Sequence, residues 1–105
     1  MIKIIQGESF PITVGINRLD KPLTPDNVAD VAVCVGGIEK KHSNGSLPYD
    51  PGKDRWIFLP LQDETRRAMR GLYPMWITIK HSDGTIRKYE GSKVQIIECD
   101  CKVEL

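Results

Sequence analysis

The chain has 105 residues, of which 40% are hydrophobic and 28% are charged. This composition is typical of a folded domain, and a chain of this length divided in two would leave each half unable to bury enough surface. Fifteen Lys and Arg residues nearly balance fourteen Asp and Glu residues, giving a net charge of +1. We therefore expect one domain over residues 1–105, without the strongly basic character of a nucleic-acid-binding protein.

Cysteine usage and hydropathy bear on the cellular compartment. The chain has three cysteines, Cys34, Cys99 and Cys101. This small and odd number argues against a disulfide framework. The N-terminal apolar stretch is shorter than the core of a secretion signal, and no run reaches the roughly 18 apolar residues of a membrane-spanning helix. We expect free thiols, a cytoplasmic product and no membrane partner.

Alternating apolar and polar residues predict the first strands. In residues 10–16 every second side chain is apolar, which predicts a half-buried strand with Pro11 at its start or on an edge. Isoleucines at positions 2, 4 and 5 predict a short strand before it. Residues 17–26, rich in Asn, Asp and Pro, predict a loop. Residues 28–35 predict a central strand, with valines at positions 31, 33 and 35 on one face and small residues at positions 32 and 34 on the other.

The middle of the chain continues this pattern. The Gly36–Gly37 pair predicts a bulge or tight turn, followed by a short strand over residues 38–41. Residues 55–61 combine aromatic and β-branched types, which suit a buried pleated surface. This strand is predicted to place Trp56 and Phe58 on one face.

Residues 62–70 are the helix candidate of the sequence. Asp63 is expected to accept hydrogen bonds from free amides of the first turn, and Gly71 is expected to end the helix. The prediction is a helix of two turns at most.

The last third of the chain predicts a hairpin and a closing strand. Residues 72–80 alternate again and form the first arm of the hairpin. The Asp83–Gly84 pair predicts a type I′ turn, in which both central residues have positive φ. A further strand is predicted over residues 94–97, and Val103 and Leu105 are expected to extend a final edge or to dock the terminus.

About seven or eight short strands and one short helical turn predict an all-β protein. Turn signals at this spacing favour an antiparallel β-sandwich or small barrel over alternating β-α-β units. We predict the sandwich.

Metal binding and nucleophilic catalysis have little support in the sequence. Cys99 and Cys101 share one face of an extended segment, which would suit half of a metal site. Tetrahedral zinc needs four ligands, and Cys34, His42 and His81 lack the paired spacing that would supply the rest. We predict no catalytic, metal-binding or cofactor-binding residues and no enzyme activity, with the role of the two late cysteines left open.

Two surface hypotheses remain from the residues. Arg66, Arg67 and Arg70 would form a basic helical face, for which a solvated surface is the favoured interpretation over an acidic or phosphate partner. Aromatic side chains could instead line a sugar-binding groove, although core packing is expected to account for most of them. These aromatic residues are Trp56, Trp76, Tyr49 and Tyr73.

Several segments resemble immunoglobulin-like domains of phage tail and baseplate proteins. Residues 6–14 contain the Gly-Glu-Ser-Phe-Pro stretch with which those domains enter their first long strand. Residues 25–31, 35–37 and 60–65 are similar to small prophage structural proteins of Gram-positive bacteria. The similarity continues through residues 76–89 and closes with the Lys-Val-Glu-Leu tail.

The resemblance implies an immunoglobulin-like sandwich and a non-enzymatic structural or assembly module of a tail or baseplate. The implied partners are other phage structural proteins, with self-association as a further expectation and with the virion as a destination. A carbohydrate-binding module for attachment to a cell-surface glycan is the alternative. The matching motifs are turns and strands, so no functional residue is carried over.

Overall fold

The computed structural model describes residues 1–18 and 21–101. Within these ranges the chain forms ten strands and one short helix. The strands are β1 (Ile2–Ile5), β2 (Ile12–Val14), β3 (Asn17–Arg18), β4 (Lys21–Pro22), β5 (Asp30–Val35), β6 (Ile38–Lys41), β7 (Tyr49–Asp50), β8 (Arg55–Phe58), β9 (Gly71–Lys80) and β10 (Ile86–Ile97), and the helix α1 spans Gln62–Arg67. Val103 and Leu105, predicted to extend the last edge, lie outside the described residues.

The larger sheet has five strands in the order β1-β10-β9-β5-β6. Its neighbouring strands are antiparallel except at one edge, where β1 runs parallel to β10 with Ile4 opposite Ile96. The expectation of a wholly antiparallel fold is therefore wrong at this edge. The chain leaves β1 for a second sheet, and β10 later enters the space beside β1 in the same direction.

The second sheet has three short strands in the order β2-β8-β7, and β3 with β4 forms a separate two-stranded ribbon. This ribbon lies inside residues 17–26, which were predicted to be a loop only. Apolar side chains from both larger sheets form one buried cluster. The protein is therefore mostly β, with two main sheets and more strands than the seven or eight predicted.

The buried faces follow the predicted alternation. Val31, Val33 and Val35 are almost completely buried on β5, which lies between β6 and β9 as a central strand. Trp56 and Phe58 are fully buried on one face of β8. Removing a side chain of this size from water contributes about 1.5–3 kcal/mol. These predictions are confirmed, although β8 ends before the predicted residues 59–61.

The two glycine turns differ from each other. Gly36 and Gly37 both have positive φ, at 54° and 86°, and form the tight connection between β5 and β6. At the second hairpin only Gly84 has positive φ, and the amide of His81 donates to the carbonyl of Thr85 at 2.8 Å. The connection is a three-residue loop, so the type I′ prediction is wrong. The carboxylate of Asp83 stabilises it by accepting from the Thr85 amide at 2.9 Å.

Helix α1 ends earlier than predicted. It stops at Arg67, and Gly71 begins β9 in place of ending the helix. Glu64, not Asp63, satisfies a free amide, because its Oε1 accepts from the Leu61 amide at 2.8 Å. A carboxylate at the third helical position can accept from the amide of the residue before the helix, whereas a carboxylate at the second position cannot reach that amide.

Helix α1 is fastened to the chain segment that follows β1. The buried hydroxyl of Thr65 donates to the carbonyl of Glu8 at 2.7 Å and accepts from the amide of Gly7 at 3.1 Å. Ser9 Oγ donates to the carbonyl of Pro60 at 2.8 Å. The Gly-Glu-Ser stretch therefore has a structural role, since it joins the beginning of the larger sheet to the helix.

Candidate binding face around Trp76

The outer face of the larger sheet carries a shallow depression beside Trp76. Side chains alternate along β9, so Trp76 points away from the core while Met75 and Ile77 point into it. The depression has a volume of about 550 Å³. We call its surface the Trp76 face, and it is lined by Ala32, Cys34, Glu39, Lys41, Trp76, Thr78 and Lys88.

Small residues on β5 create the depression. Cys34 lies directly opposite Trp76 in the sheet, and Ala32 lies opposite Thr78. Because neither side chain rises far above the backbone, one side of the indole stands free, and 42% of Trp76 remains exposed. The valines of β5 all point the other way, so the fold buries the large residues of this strand and presents its small ones.

Polar groups surround the indole. Lys88 Nζ donates to Thr78 Oγ1 at 3.0 Å, and Lys41 Nζ lies 3.3 Å from Glu39 Oε1. The Lys41 and Glu39 side chains are about half exposed, and an ion pair in that setting contributes less than about 1 kcal/mol. A bound partner can therefore take over these hydrogen bonds at small cost.

The four aromatic residues named from the sequence do not form a groove. Trp56 is fully buried, and Tyr49 packs edge-on against it with ring centroids 4.8 Å apart. Burial and a hydrogen bond to Asp54 raise the pKa of Tyr49. Tyr73 packs against the core and donates its hydroxyl to the carbonyl of Met69 at 2.8 Å. Among these four, Trp76 alone presents its ring to the outer face.

Fluorescence quenching checks this difference between the tryptophans. Iodide is expected to quench part of the emission of the folded protein, because Trp76 is exposed and Trp56 is not. In the Trp76→Phe variant the remaining emission should resist iodide until the protein is unfolded in urea. Quenching of folded Trp76→Phe as strong as that of the wild type would contradict the assigned burial.

The cysteines and histidines lie in several different parts of the fold. Cys34 is part of the Trp76 face, whereas Cys99 Sγ lies 3.7 Å from the carbonyl of Cys101. His42 Nδ1 lies 2.9 Å from the Leu47 carbonyl, and His81 flanks the hairpin loop. Residues 1–18 and 21–101 contain no group of three or more potential metal ligands.

The basic residues of the helix region are partnered by nearby acceptors. Arg66 pairs with Asp63 and Arg70 pairs with Glu98, each at 3.0 Å. Arg67 Nε donates to the carbonyl of Asp63 at 3.2 Å. These exposed contacts agree with the favoured interpretation of a solvated surface.

Comparison with known proteins gives no match: no family model, no curated protein and no solved structure is significantly similar to this chain. In the ranges that the structure describes, no helix is both long enough and apolar enough to cross a membrane.

Sequence reasoning included Trp76 among four aromatic residues, most of which were expected to pack in the core, and it missed the depression beside Trp76. The signal was the small side chains at alternate positions of residues 28–35, between the valines. Their meaning depends on which residues face them across the sheet, and that pairing joins β5 to β9 and β6.

Proposed function

We propose that this chain is a non-enzymatic structural or assembly module of a phage or prophage, associated with the tail or baseplate and built as an immunoglobulin-like sandwich. It acts through protein–protein contacts made by the Trp76 face. The resemblance of the Gly-Glu-Ser-Phe-Pro segment to tail and baseplate domains supports the setting. The observation that supports the mode of action is the exposed indole beside a depression in a sheet face.

A partly exposed tryptophan is suited to a protein contact. Aromatic anchors that fill pockets account for a large share of binding energy at protein interfaces, and exchangeable polar groups around them add specificity. Trp76 provides the anchor, and the depression over Ala32 and Cys34 receives a side chain of the partner. Exposed Leu72 on the same strand and Ile86 on β10 lie on the same face of the sheet as Trp76.

Particle incorporation tests this function. The chain is produced together with any tail and baseplate proteins that its neighbouring genes encode, and purified particles are quantified by mass spectrometry. Wild-type chain is expected in particles at a constant ratio, and Trp76→Ser should reduce its incorporation at least about tenfold, the effect of losing an interface anchor. Met69→Ser, at an exposed residue away from this sheet face, is the matched control. Particles that assemble completely without the chain would contradict the proposal.

A carbohydrate-binding attachment module is the second candidate. The specific observation in its favour is that the exposed indole shares one depression with a hydroxyl, two ammonium groups and a carboxylate. A flat aromatic face can stack on a sugar ring, and these groups can hydrogen-bond its hydroxyls. A glycan array with wild type and Trp76→Ala separates the candidates. Binding that disappears in the variant favours attachment, and an array without binding removes this candidate.

A further inference from the structure

Half of strand β10 forms an open edge of the larger sheet. The short strand β1 pairs only with its second part, from Val94 to Ile97. The first part, from Ile86 to Glu90, pairs with β9 on one side and has no described strand on the other. All five of its residues are exposed. This stretch of described sheet edge therefore lacks a neighbour.

The hydrogen-bond pattern tells which main-chain groups point outward. The amide of His81 donates to the carbonyl of Thr85, so this pair is hydrogen-bonded across the hairpin. In an antiparallel ladder such pairs alternate with non-bonded ones, and Arg87 and Tyr89 therefore bond to β9. The amides and carbonyls of Ile86, Lys88 and Glu90 point away from the sheet. Among the described residues, no main-chain group of a turn or loop bonds to them.

The outer edges of the larger sheet are protected in other ways. On β1, Glu8 satisfies both main-chain groups of Ile5. Its carboxylate accepts from the Ile5 amide at 2.8 Å, and its amide donates to the Ile5 carbonyl at 2.9 Å. On β6, Ser46 Oγ accepts from the Lys41 amide, and the Leu47 amide donates to the Lys41 carbonyl. Short strands with capped ends resist further pairing. The first half of β10 has no such closure.

We infer that a second copy of this chain pairs antiparallel with β10, around a two-fold axis that passes through Tyr89. In this register Lys88 lies opposite the partner's Glu90, and Glu90 lies opposite the partner's Lys88. Because the main-chain amides and carbonyls of both residues point away from the sheet, the two pairs form four main-chain hydrogen bonds. The arrangement satisfies the isologous symmetry of a dimer and continues the larger sheet across both copies.

Side-chain charge favours the register with its axis at Tyr89 over the register with its axis at Lys88. The side chains of Lys88 and Glu90 lie on the same face, so the two-fold axis at Tyr89 forms two cross-strand ion pairs. Moving the axis to Lys88 would place two ammonium groups directly opposite each other, which is unfavourable. On the opposite face the two Tyr89 rings become direct cross-strand neighbours, and Tyr89 is 45% exposed in the single chain.

This edge adjoins the Trp76 face, because Lys88 lines that face and Glu90 lies opposite Trp76 in the sheet, but the two surfaces bind in different ways. The Trp76 face binds through side chains on top of the sheet, whereas the open edge pairs in the plane of the sheet. The dimer can therefore be tested independently of the proposed phage function. Lys88 borders both surfaces, and for that reason the first test uses Tyr89, which points to the other face.

Cysteine cross-linking tests the register. In a background with Cys34→Ala, Cys99→Ser and Cys101→Ser, the Tyr89→Cys variant should form a disulfide-linked dimer under mild oxidation. At a non-hydrogen-bonded pair the two Cα atoms lie about 4.5 Å apart, within the range of a disulfide. Arg87→Cys is the matched control, because in the proposed register the substituted residues of the two copies would lie about 13 Å apart along the strands. Equal cross-linking of both variants, or none of Tyr89→Cys, would overturn the inference.

A charge exchange tests the same dimer without cysteines. Wild type is expected to sediment as a dimer at high micromolar concentration. Lys88→Glu and Glu90→Lys should each raise the dissociation constant by about tenfold or more, because like charges then face each other. The double variant Lys88→Glu/Glu90→Lys should return to within about threefold of wild type, since it restores the opposite charges. A wild-type monomer, or single variants that dimerise normally, would show that this edge is not the interface.

Discussion

Trp56→Ala is expected to lower the free energy of unfolding by about 3–5 kcal/mol, whereas Trp76→Ala should lower it by about 1 kcal/mol or less. The two substitutions remove the same side chain from opposite environments. Trp56 is fully buried against Tyr49, and its loss leaves a large cavity. Its Nε1–H has no acceptor among the described residues, and removing this orphan donor offsets part of the cost. We therefore expect a value near the lower end of the range.

Urea unfolding followed by far-UV circular dichroism measures both changes without relying on tryptophan emission. Equal slopes against urea would show that both variants expose the same surface on unfolding, so the midpoints compare directly. A domain of this size has about 5–15 kcal/mol to lose, and Trp56→Ala will be poorly folded if the wild type lies at the low end. Equal destabilisation by the two substitutions would contradict the described core and the free Trp76 face.

Glu64→Ala is expected to cost about 2–4 kcal/mol, and Lys40→Met about 1 kcal/mol or less. Lys40 Nζ lies 2.7 Å from Glu64 Oε1, and only 9% of the lysine side chain is exposed. Removing the carboxylate leaves a buried ammonium group without its partner and also frees the Leu61 amide. Methionine keeps the aliphatic packing of the lysine, and Glu64, at 26% exposure, can be hydrated. Thermal unfolding with both single variants and the double variant measures this asymmetry.

The same pair makes stability depend on pH. Burial alone would raise the pKa of Glu64, but hydrogen bonds from Lys40 and from the Leu61 amide outweigh it and hold the pKa below its ordinary value of 4.5. A lowered pKa in the folded state contributes stability that is complete above pH 4.5 and is lost as the pH falls through the folded value. The stability difference between wild type and Glu64→Gln should therefore shrink below pH 4.5. A difference that stays constant from pH 7 to pH 3 would exclude this linkage.

Local pattern was enough to predict the buried faces of the strands. The alternation around Trp56 and along the valines of β5 depends only on the two-residue period of a strand, which neighbouring residues impose. Turn type and helix length were predicted less well, because they depend on competing contacts. At the hairpin, Asp83 binds the Thr85 amide and favours a three-residue loop. At the helix, Glu64 is held by Lys40 from a distant strand.

The depression and the open edge could not be predicted from one sequence for a related reason. The depression beside Trp76 exists because Cys34 lies opposite it, and the open edge of β10 exists because β1 stops short of Lys93. Both depend on which distant strands become neighbours. Neither the small residues nor the charges of the hairpin carry that information until the strand order is known.

The parallel pairing of β1 with β10 constrains how the protein reaches its native state. Ile4 and Ile96 lie side by side in the sheet although nearly the whole chain separates them in sequence. Closing so large a loop is entropically costly, and contacts of this kind slow folding. During synthesis β1 cannot pair with β10 until β10 has left the ribosome. Ile4, which is buried in the folded protein, stays exposed to water until then. We therefore expect the pairing of β1 with β10 to form late in folding.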